Sequence, residues 1–290
     1  MVNPQSQPEP LIRNVSDTAR WVAVYRAQET ERPDAIFRDP FARRLAGERG
    51  EQIAKLMPLG RDNSWSMITR TYLIDGFIKD ELQRGADLVV NLAAGLDSRP
   101  YRMQLPPKLR CVEVDLPEIL DYKESVLRDE QPVCALERIR LDLSDHSKRQ
   151  ELFARLGQSA RRALIITEGL MIYLTPEAVG ELAADLAARA SFHSWIVDIA
   201  SPGLLRMLRK RMASQLKEAA PFKFAPEEGP AFFAARGWQP VEVQSLLKNA
   251  ARLKRLSFFL RLVALLPENE KSRRDRPWSG VCLFANKKSL

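Results

Sequence analysis

The stretch from Asp87 to Asp115 constrains the fold more than any other part of the chain. It reads D-L-V-V-N-L-A-A-G-L-D-S-R-P-Y-R-M-Q-L-P-P-K-L-R-C-V-E-V-D. Leu88, Val89, Val90 and Leu92 make a nearly continuous apolar run, the pattern of a central parallel strand covered on both faces. Gly95 ends the run, where the backbone turns tightly and a ligand can come close. Arg110 to Asp115 is a second β-type run ending in an acid, and Asp115 lies 20 residues beyond Gly95. In a nucleotide-binding βαβ unit, an acid at about that distance from the glycine turn takes the ribose hydroxyls.

The turn itself is thin. A dinucleotide site uses G-x-G-x-x-G, because a pyrophosphate needs several close backbone approaches and a helix N-terminus. Here Asn91 and Ala93 stand where glycines would. A single glycine suits a cofactor with a ribose and no phosphate, such as S-adenosylmethionine, better than NAD. The plain structural alternative is a βαβ unit with an incidental surface acid.

The rest of the chain alternates in the same way. Residues 14–82 read as helical, with Asp39 as a cap and Pro40 at a first helical position. Ile68, Tyr72, Leu73, Phe77 and Ile78 share one helical face. Asp115 is placed to cap a helix whose first turn holds Pro117 and Glu118. Further strands are expected at 139–143, 163–167, 195–199, 241–243 and 280–285, with a helix opening at Thr175-Pro176-Glu177. Strands alternating with helices predict an α/β fold, a mostly parallel sheet with helices on both faces. Residues 201–235 break the rhythm and read as a lid-like insertion over the strand ends.

Composition narrows the class. The chain has 290 residues, 45% of them hydrophobic and 28% charged, which is enough for a substantial core. Cys111, Cys134 and Cys282 are widely spaced and odd in number, so they predict buried free thiols, a reducing cytoplasmic setting and no metal cluster. The polar, proline-rich start predicts a flexible leader over residues 1–13. The longest apolar stretch, near Leu256 to Leu266, is interrupted by Arg261 and is too short to span a bilayer, so no membrane partner is expected. The net charge is +8, but the basic residues are scattered. The local excesses at Arg206–Arg211 and Lys248–Arg261 read as solvated or ligand-steering faces, and no nucleic-acid partner is expected.

Three predicted strands end in or beside an acid: Asp115, Asp142 and Glu168. In a parallel sheet these carboxylates share one edge and converge near Gly95. Taken singly, each reads equally as a cap or turn residue. His146 and His193 are the only histidines, so a catalytic triad or a zinc site is hard to build. Arg70 and Arg99 are the basic counterparts, suited to a ligand carboxylate or to a salt bridge with Asp75 or Asp97.

Five segments, taken in order, resemble the successive motifs of the leucine carboxyl methyltransferase family, which includes bacterial O-methyltransferases of polyketide-type metabolism. They are T-R-T-Y-L-I-D-G-F, N-L-A-A-G-L-D-S-R-P-Y-R, V-E-V-D-L-P-E-I-L-D-Y-K, L-D-L and T-E-G-L-M-I-Y-L. The resemblance runs from about Thr18 to Gln244, and where the family has G-A-G-L-D-T-R this chain has A-A-G-L-D-S-R. It implies a class I (Rossmann-like) methyltransferase fold: a seven-stranded sheet with a reversed last strand and a helical cap. It implies S-adenosyl-L-methionine as cofactor, with Arg70 on its carboxylate and Gly95 allowing close backbone approach. Asp115 would take the ribose hydroxyls, and Asp142 and Leu143 would meet the adenine. Glu168 would face the ammonium end, and Tyr173 would line the methyl-transfer region, these two being the candidate catalytic residues.

The chain is therefore expected to be one methyltransferase domain over 1–290: a leader at 1–13, N-terminal helices at 14–82, a cofactor-binding core at 83–200, an insertion at 201–235, and C-terminal strands and helix at 236–290. The expected reaction is O-methylation of a carboxylate or acidic hydroxyl on a small, polyketide-like metabolite, since a carboxylate needs no general base, and the basic run Arg206–Arg211 would suit an anionic one. The alternatives are a protein C-terminal carboxyl methyltransferase, a nucleotide-dependent oxidoreductase, a nucleic-acid methyltransferase and a cofactor-binding protein without chemistry.

Overall fold

The computed structural model describes residues 12, 14–56, 60–216, 220–269 and 274–289. The expected leader thus lies almost wholly outside the described residues. Its end does not: Ile12 is buried against the cluster that holds Trp21 and Tyr25.

Three helices come first: α1 (Val15–Thr30), α2 (Ala42–Leu56) and α3 (Gly60–Gln83). The alternating part follows as β1 (Leu88–Leu92), α4 (Arg99–Arg102), β2 (Arg110–Asp115), α5 (Pro117–Val126), β3 (Ala135–Arg140), α6 (His146–Gln158), β4 (Ala163–Thr167), α7 (Pro176–Ala187) and β5 (Phe192–Ala200). Then come α8 (Pro202–Leu216), β6 (Trp238–Ser245), α9 (Leu246–Arg252), α10 (Phe258–Ala264) and β7 (Ser279–Asn286). The seven strands form one sheet in the order β3-β2-β1-β4-β5-β7-β6. β3, β2, β1, β4 and β5 are parallel, while β7 runs antiparallel to both β5 and β6.

Alternation along the central strands sends side chains to two cores. Val90, Val112 and Ile165 meet α6 and α7, together with Trp195, Phe233, Trp238 and Phe284. Val89, Cys111, Leu164 and Ile166 meet α3 through Ile74, Phe77 and Ile78. Both faces are covered, as the unbroken apolar run at β1 requires. Cys111, Cys134 and Cys282 are buried free thiols.

Several boundaries depart from the sequence reading, each for a local reason. The third strand was expected at 139–143, but β3 is Ala135–Arg140, paired in register with Arg110–Asp115. It is an edge strand carrying Glu137, Arg138 and Arg140, so its pattern is hidden by charge. Asp115 does not cap α5. The residue before the helix is Leu116, and the Asp115 carboxylate accepts the Leu116 N–H at 2.7 Å and the Gly95 N–H at 2.6 Å. Tyr72 is 40% exposed, so it does not share the buried face of Phe77 and Ile78.

Asp39 also does more than begin a helix. It accepts the Phe41 N–H at 3.2 Å, but its other oxygen takes Arg26 Nε at 2.8 Å and Ser98 Oγ at 2.6 Å. Arg26 in turn donates to the Leu96 carbonyl at 2.6 Å. This buried link ties α1 and the start of α2 to the loop after β1. Burial opposes ionisation of Asp39, but Arg26 and Arg102 outweigh it and hold the carboxyl below its usual range. We predict that Asp39→Ala, which leaves Arg26 buried without its carboxylate, costs about 3–5 kcal/mol. Urea denaturation at neutral pH measures this, and a midpoint equal to the parent's contradicts it.

Candidate active site

The carboxyl ends of β1, β2, β4 and β5 open onto one cavity of about 930 Å³, roofed by α1, α3, α8, α9 and α10. That is near the upper end of ordinary ligand sites. Every predicted site residue lines it: Arg70, Gly95, Asp115, Asp142, Leu143, Glu168 and Tyr173. His146 and His193 do not.

The cavity has a polar floor and apolar walls. On the floor, Gly95 has φ +47°, and a Cβ there would come within 3.3 Å of the Ala19 Cβ. Its N–H donates to Asp115, so the 20-residue spacing in sequence is one hydrogen bond in space. Ala93 also takes a positive φ of 55°, a conformation that favours glycine and costs an L-residue about 1–2 kcal/mol. Burial pushes the Asp115 carboxyl up, and the Gly95 and Leu116 amides only partly offset this. A carboxylate accepts about four hydrogen bonds, so Asp115 has capacity left for donors on a ligand.

Asp142 sits in the turn two residues beyond β3. One of its oxygens accepts the Ser144 N–H at 2.8 Å, and the other has no protein partner among the described residues. The Leu143 carbonyl takes Arg149 Nη1 at 2.8 Å, which fixes that turn.

At the other end, Arg70 Nε donates to Glu168 Oε1 at 3.0 Å and Arg70 Nη1 to Asp198 Oδ2 at 3.0 Å. Asp198 Oδ1 accepts the Gly169 N–H at 2.7 Å. Glu168 Oε2 takes Arg99 Nη1 at 2.8 Å. Burial opposes ionisation of Glu168, yet Arg99 and Arg70 outweigh it and hold the carboxyl below its usual range. Asp97 is held well below it in the same way, chiefly by Arg99 against burial.

Arg99 and Arg70, which the sequence left equivalent, separate here. Arg99 is committed to Asp75 and Asp97, each at 2.6 Å, as well as to Glu168. Its plain reading as a salt bridge is the correct one. Arg70 keeps Nη2 without a protein partner among the described residues, so it alone can add a ligand carboxylate. Asp198 was missed. The signal was an acid inside the apolar run I-V-D-I-A, one strand over from Glu168.

The walls are built from α1, α3, α8 and the segment after α8. The Tyr173 hydroxyl donates to Thr18 Oγ1 at 3.3 Å, and its ring lies 5.5 Å from that of Phe222. Burial raises the Tyr173 phenol, so it stays protonated at neutral pH. Trp21, Met67, Leu208 and Phe222 complete an apolar half. From the stretch 201–235, Leu204, Leu208 and Phe222 line the cavity.

The adenosine-and-methionine ligand expected from the sequence can be tested against these groups. Asp115 has unused acceptor capacity where hydroxyls would lie. Asn91 Oδ1 is buried without a partner beside the same turn. Arg70 Nη2 is the matching donor for a carboxylate. The donor and acceptor set fits.

The chain is similar to known proteins in sequence and in fold. The sequence model of the leucine carboxyl methyltransferase family matches residues 19–187. A Streptomyces avermitilis protein, named as an S-adenosyl-L-methionine-dependent methyltransferase, is 32% identical over 245 residues, covering 81% of this chain and 86% of that one. A Frankia alni protein of the same designation is 32% identical, covering 81% and 85%. Among solved structures, a protein named as a methyltransferase from Thermobifida fusca superposes with a TM-score of 0.55 at 16% identity, covering 99% of this chain and 100% of that one. A DUF574 family protein from Streptomyces avermitilis gives a TM-score of 0.56 at 12% identity, covering 91% and 96%. These two likenesses concern the fold.

The depressed carboxyls carry a pH dependence. Their ordinary values are near 4.5 for Glu168 and 3.8 for Asp97. Their folded values are lower, so their contribution to stability is complete above the ordinary values and is lost as pH falls through the folded ones. We predict that stability drops steeply below about pH 4.5. Glu168→Gln should start lower at neutral pH and fall less steeply in acid. Urea midpoints across the acid range measure this; parallel curves for the two proteins contradict it.

Proposed function

We propose that this chain, which belongs to the leucine carboxyl methyltransferase family, methylates a carboxylate oxygen on a small, mainly apolar, polyketide-like acceptor. The chain is an S-adenosylmethionine-dependent methyltransferase of α/β fold. The finer claim, a carboxylate acceptor, rests on one observation: among the described residues, no side chain at the Tyr173 end of the cavity is placed as a free base. Glu168 is engaged by Arg70 and Arg99, Asp198 by Arg70 and the Gly169 amide, and Tyr173 is a neutral phenol. A carboxylate is already ionised at neutral pH and needs no base.

When bound, S-adenosylmethionine supplies an electrophilic methyl on a sulfonium that is itself a good leaving group. The residues then bind and orient. Asp115 would accept from the ribose hydroxyls, and Asp142 and Leu143 would border the adenine. Arg70 Nη2 would meet the carboxylate, and Glu168 and Asp198 would receive the ammonium group. Glu168 therefore acts as a binding group, and its low pKa argues against proton abstraction. Thr18, Tyr173 and Phe222 form the wall that aligns the acceptor oxygen and excludes water. Orientation of this kind is the larger share of the rate gain expected here.

Two expectations follow. Asp115→Ala should lose hydrogen bonds to a charged group worth about 1.5–3 kcal/mol, so cofactor affinity should fall roughly 10- to 150-fold. Calorimetry with S-adenosylhomocysteine measures this, and unchanged affinity in a folded variant removes Asp115 from the site. For the acceptor, labelled methyl transfer into a metabolite extract should give a product that releases methanol in mild base, as an ester does. A base-stable product would point to a hydroxyl acceptor and overturn the carboxylate reading.

A further inference from the structure

One face of the molecule is more apolar than a solvated surface requires. α10 and its C-cap residue carry Phe258, Phe259, Leu262 and Leu265 at 78%, 71%, 50% and 80% exposure. They fall at steps i, i+1, i+4 and i+7 and so share one outward stripe. On the other side of the same helix, Leu260 and Val263 line the cavity. Single exposed apolar side chains are ordinary, but three on a helix of seven residues and a fourth at its C-cap form a patch.

Positive charge borders the stripe. From Leu246 to Pro267 the chain has five basic residues, Lys248, Arg252, Lys254, Arg255 and Arg261, and no acid. Arg255 is committed to Glu29 and Asp34. Arg252, Lys254 and Arg261 are exposed, and among the described residues none of them pairs with a carboxylate. Glu268, the next acid, accepts from Ser245 Oγ at 2.7 Å and from Trp278 Nε1 at 3.1 Å.

We infer that α10 and the basic segment before it dock this enzyme on an anionic lipid surface. Phe258, Phe259, Leu262 and Leu265 enter the boundary of the acyl chains, and Arg252, Lys254 and Arg261 meet the headgroups. An apolar stripe with basic flanks is the pattern of an interfacial helix. No described helix is long and apolar enough to span a bilayer. Lying on a surface asks much less. A second copy of the chain is a poorer occupant, because a two-fold pairing through this stripe sets the same basic residues of both copies side by side. Docking brings the helix whose inner side chains, Leu260 and Val263, line the cavity down onto the lipid surface, so the acceptor is a lipophilic acid reaching the site from that surface. This last step rests on the carboxyl methyltransferase reading above.

The test is flotation of the full chain with phosphatidylcholine vesicles, with and without phosphatidylglycerol, beside the double variant Phe258→Ser/Phe259→Ser. The parent should float with the anionic vesicles and release with added salt. The variant should bind at least about tenfold more weakly, since two phenyl groups no longer leave water. Equal binding to neutral vesicles, or unchanged binding by the variant, overturns the inference. So does a parent dimer in sedimentation that the same double substitution dissociates, since that gives the stripe to a second copy. S-adenosylhomocysteine affinity, measured separately, should be the same in parent and variant. Its absence from both, with flotation intact, removes the methyl-transfer reading and leaves the docking surface standing.

Discussion

A continuous lattice of buried charge holds the site together. It runs from Arg26 and Asp39 through Arg102, Asp75 and Arg99 to Glu168, Arg70 and Asp198. These residues come from α1, the loop before α2, α3, α4 and the ends of β4 and β5. Strand pairing positions the sheet, but it does not say where the N-terminal helices lie over its edge. The lattice does, because Arg102, Arg99 and Arg70 each reach carboxylates on separate elements. Such buried pairs add little net stability compared with apolar packing, yet losing one partner is costly. Their effect here is to fix where Arg70 and Glu168 stand.

The sign of that lattice bears on its ligand. Arg26, Arg70, Arg99 and Arg102 are set against Asp39, Asp75, Asp97, Glu168 and Asp198, so the carboxylates outnumber the guanidiniums. A residual negative charge in a partly enclosed site favours a ligand of net positive charge, and a sulfonium with an ammonium and one carboxylate is such a ligand. The same arrangement leaves no spare base beside Tyr173. One feature, the mutual saturation of these groups, thus bears on both the cofactor and the acceptor.

Much of this was legible in the sequence because it depends on strand ends. β1, β2 and β4 announce themselves by apolar runs, and Gly95, Asp115 and Glu168 follow those runs directly. Asp142 was legible although its strand was misplaced, since the turn sits at the same edge whether β3 ends at Arg140 or later. What was hidden depends on contacts far apart in the chain. Asp39 looks like a helix cap until Arg26 and Ser98 close on it, 13 and 59 residues away. Arg70 and Arg99 look alike until Asp75 and Asp97 consume one of them. Asp198 is hidden because an acid within an apolar strand gives no periodic signal.

The weakness of the glycine turn can be stated in physical terms. The backbone takes positive φ at both Ala93 and Gly95, and at Gly95 an added Cβ would also come within 3.3 Å of the Ala19 Cβ. Glycine is required where conformation and space are both restrictive; alanine is tolerated at a cost where only conformation is. The cost is met locally, since the Ala94 N–H donates to the Val114 carbonyl at 3.2 Å and the Gly95 N–H to Asp115. Those bonds also commit the Gly95 amide to protein, so it cannot serve a phosphate. A pyrophosphate site needs free amides at this turn. A turn that spends its amide on an acid, and leaves that acid to meet hydroxyls, is suited to a nucleoside without phosphate.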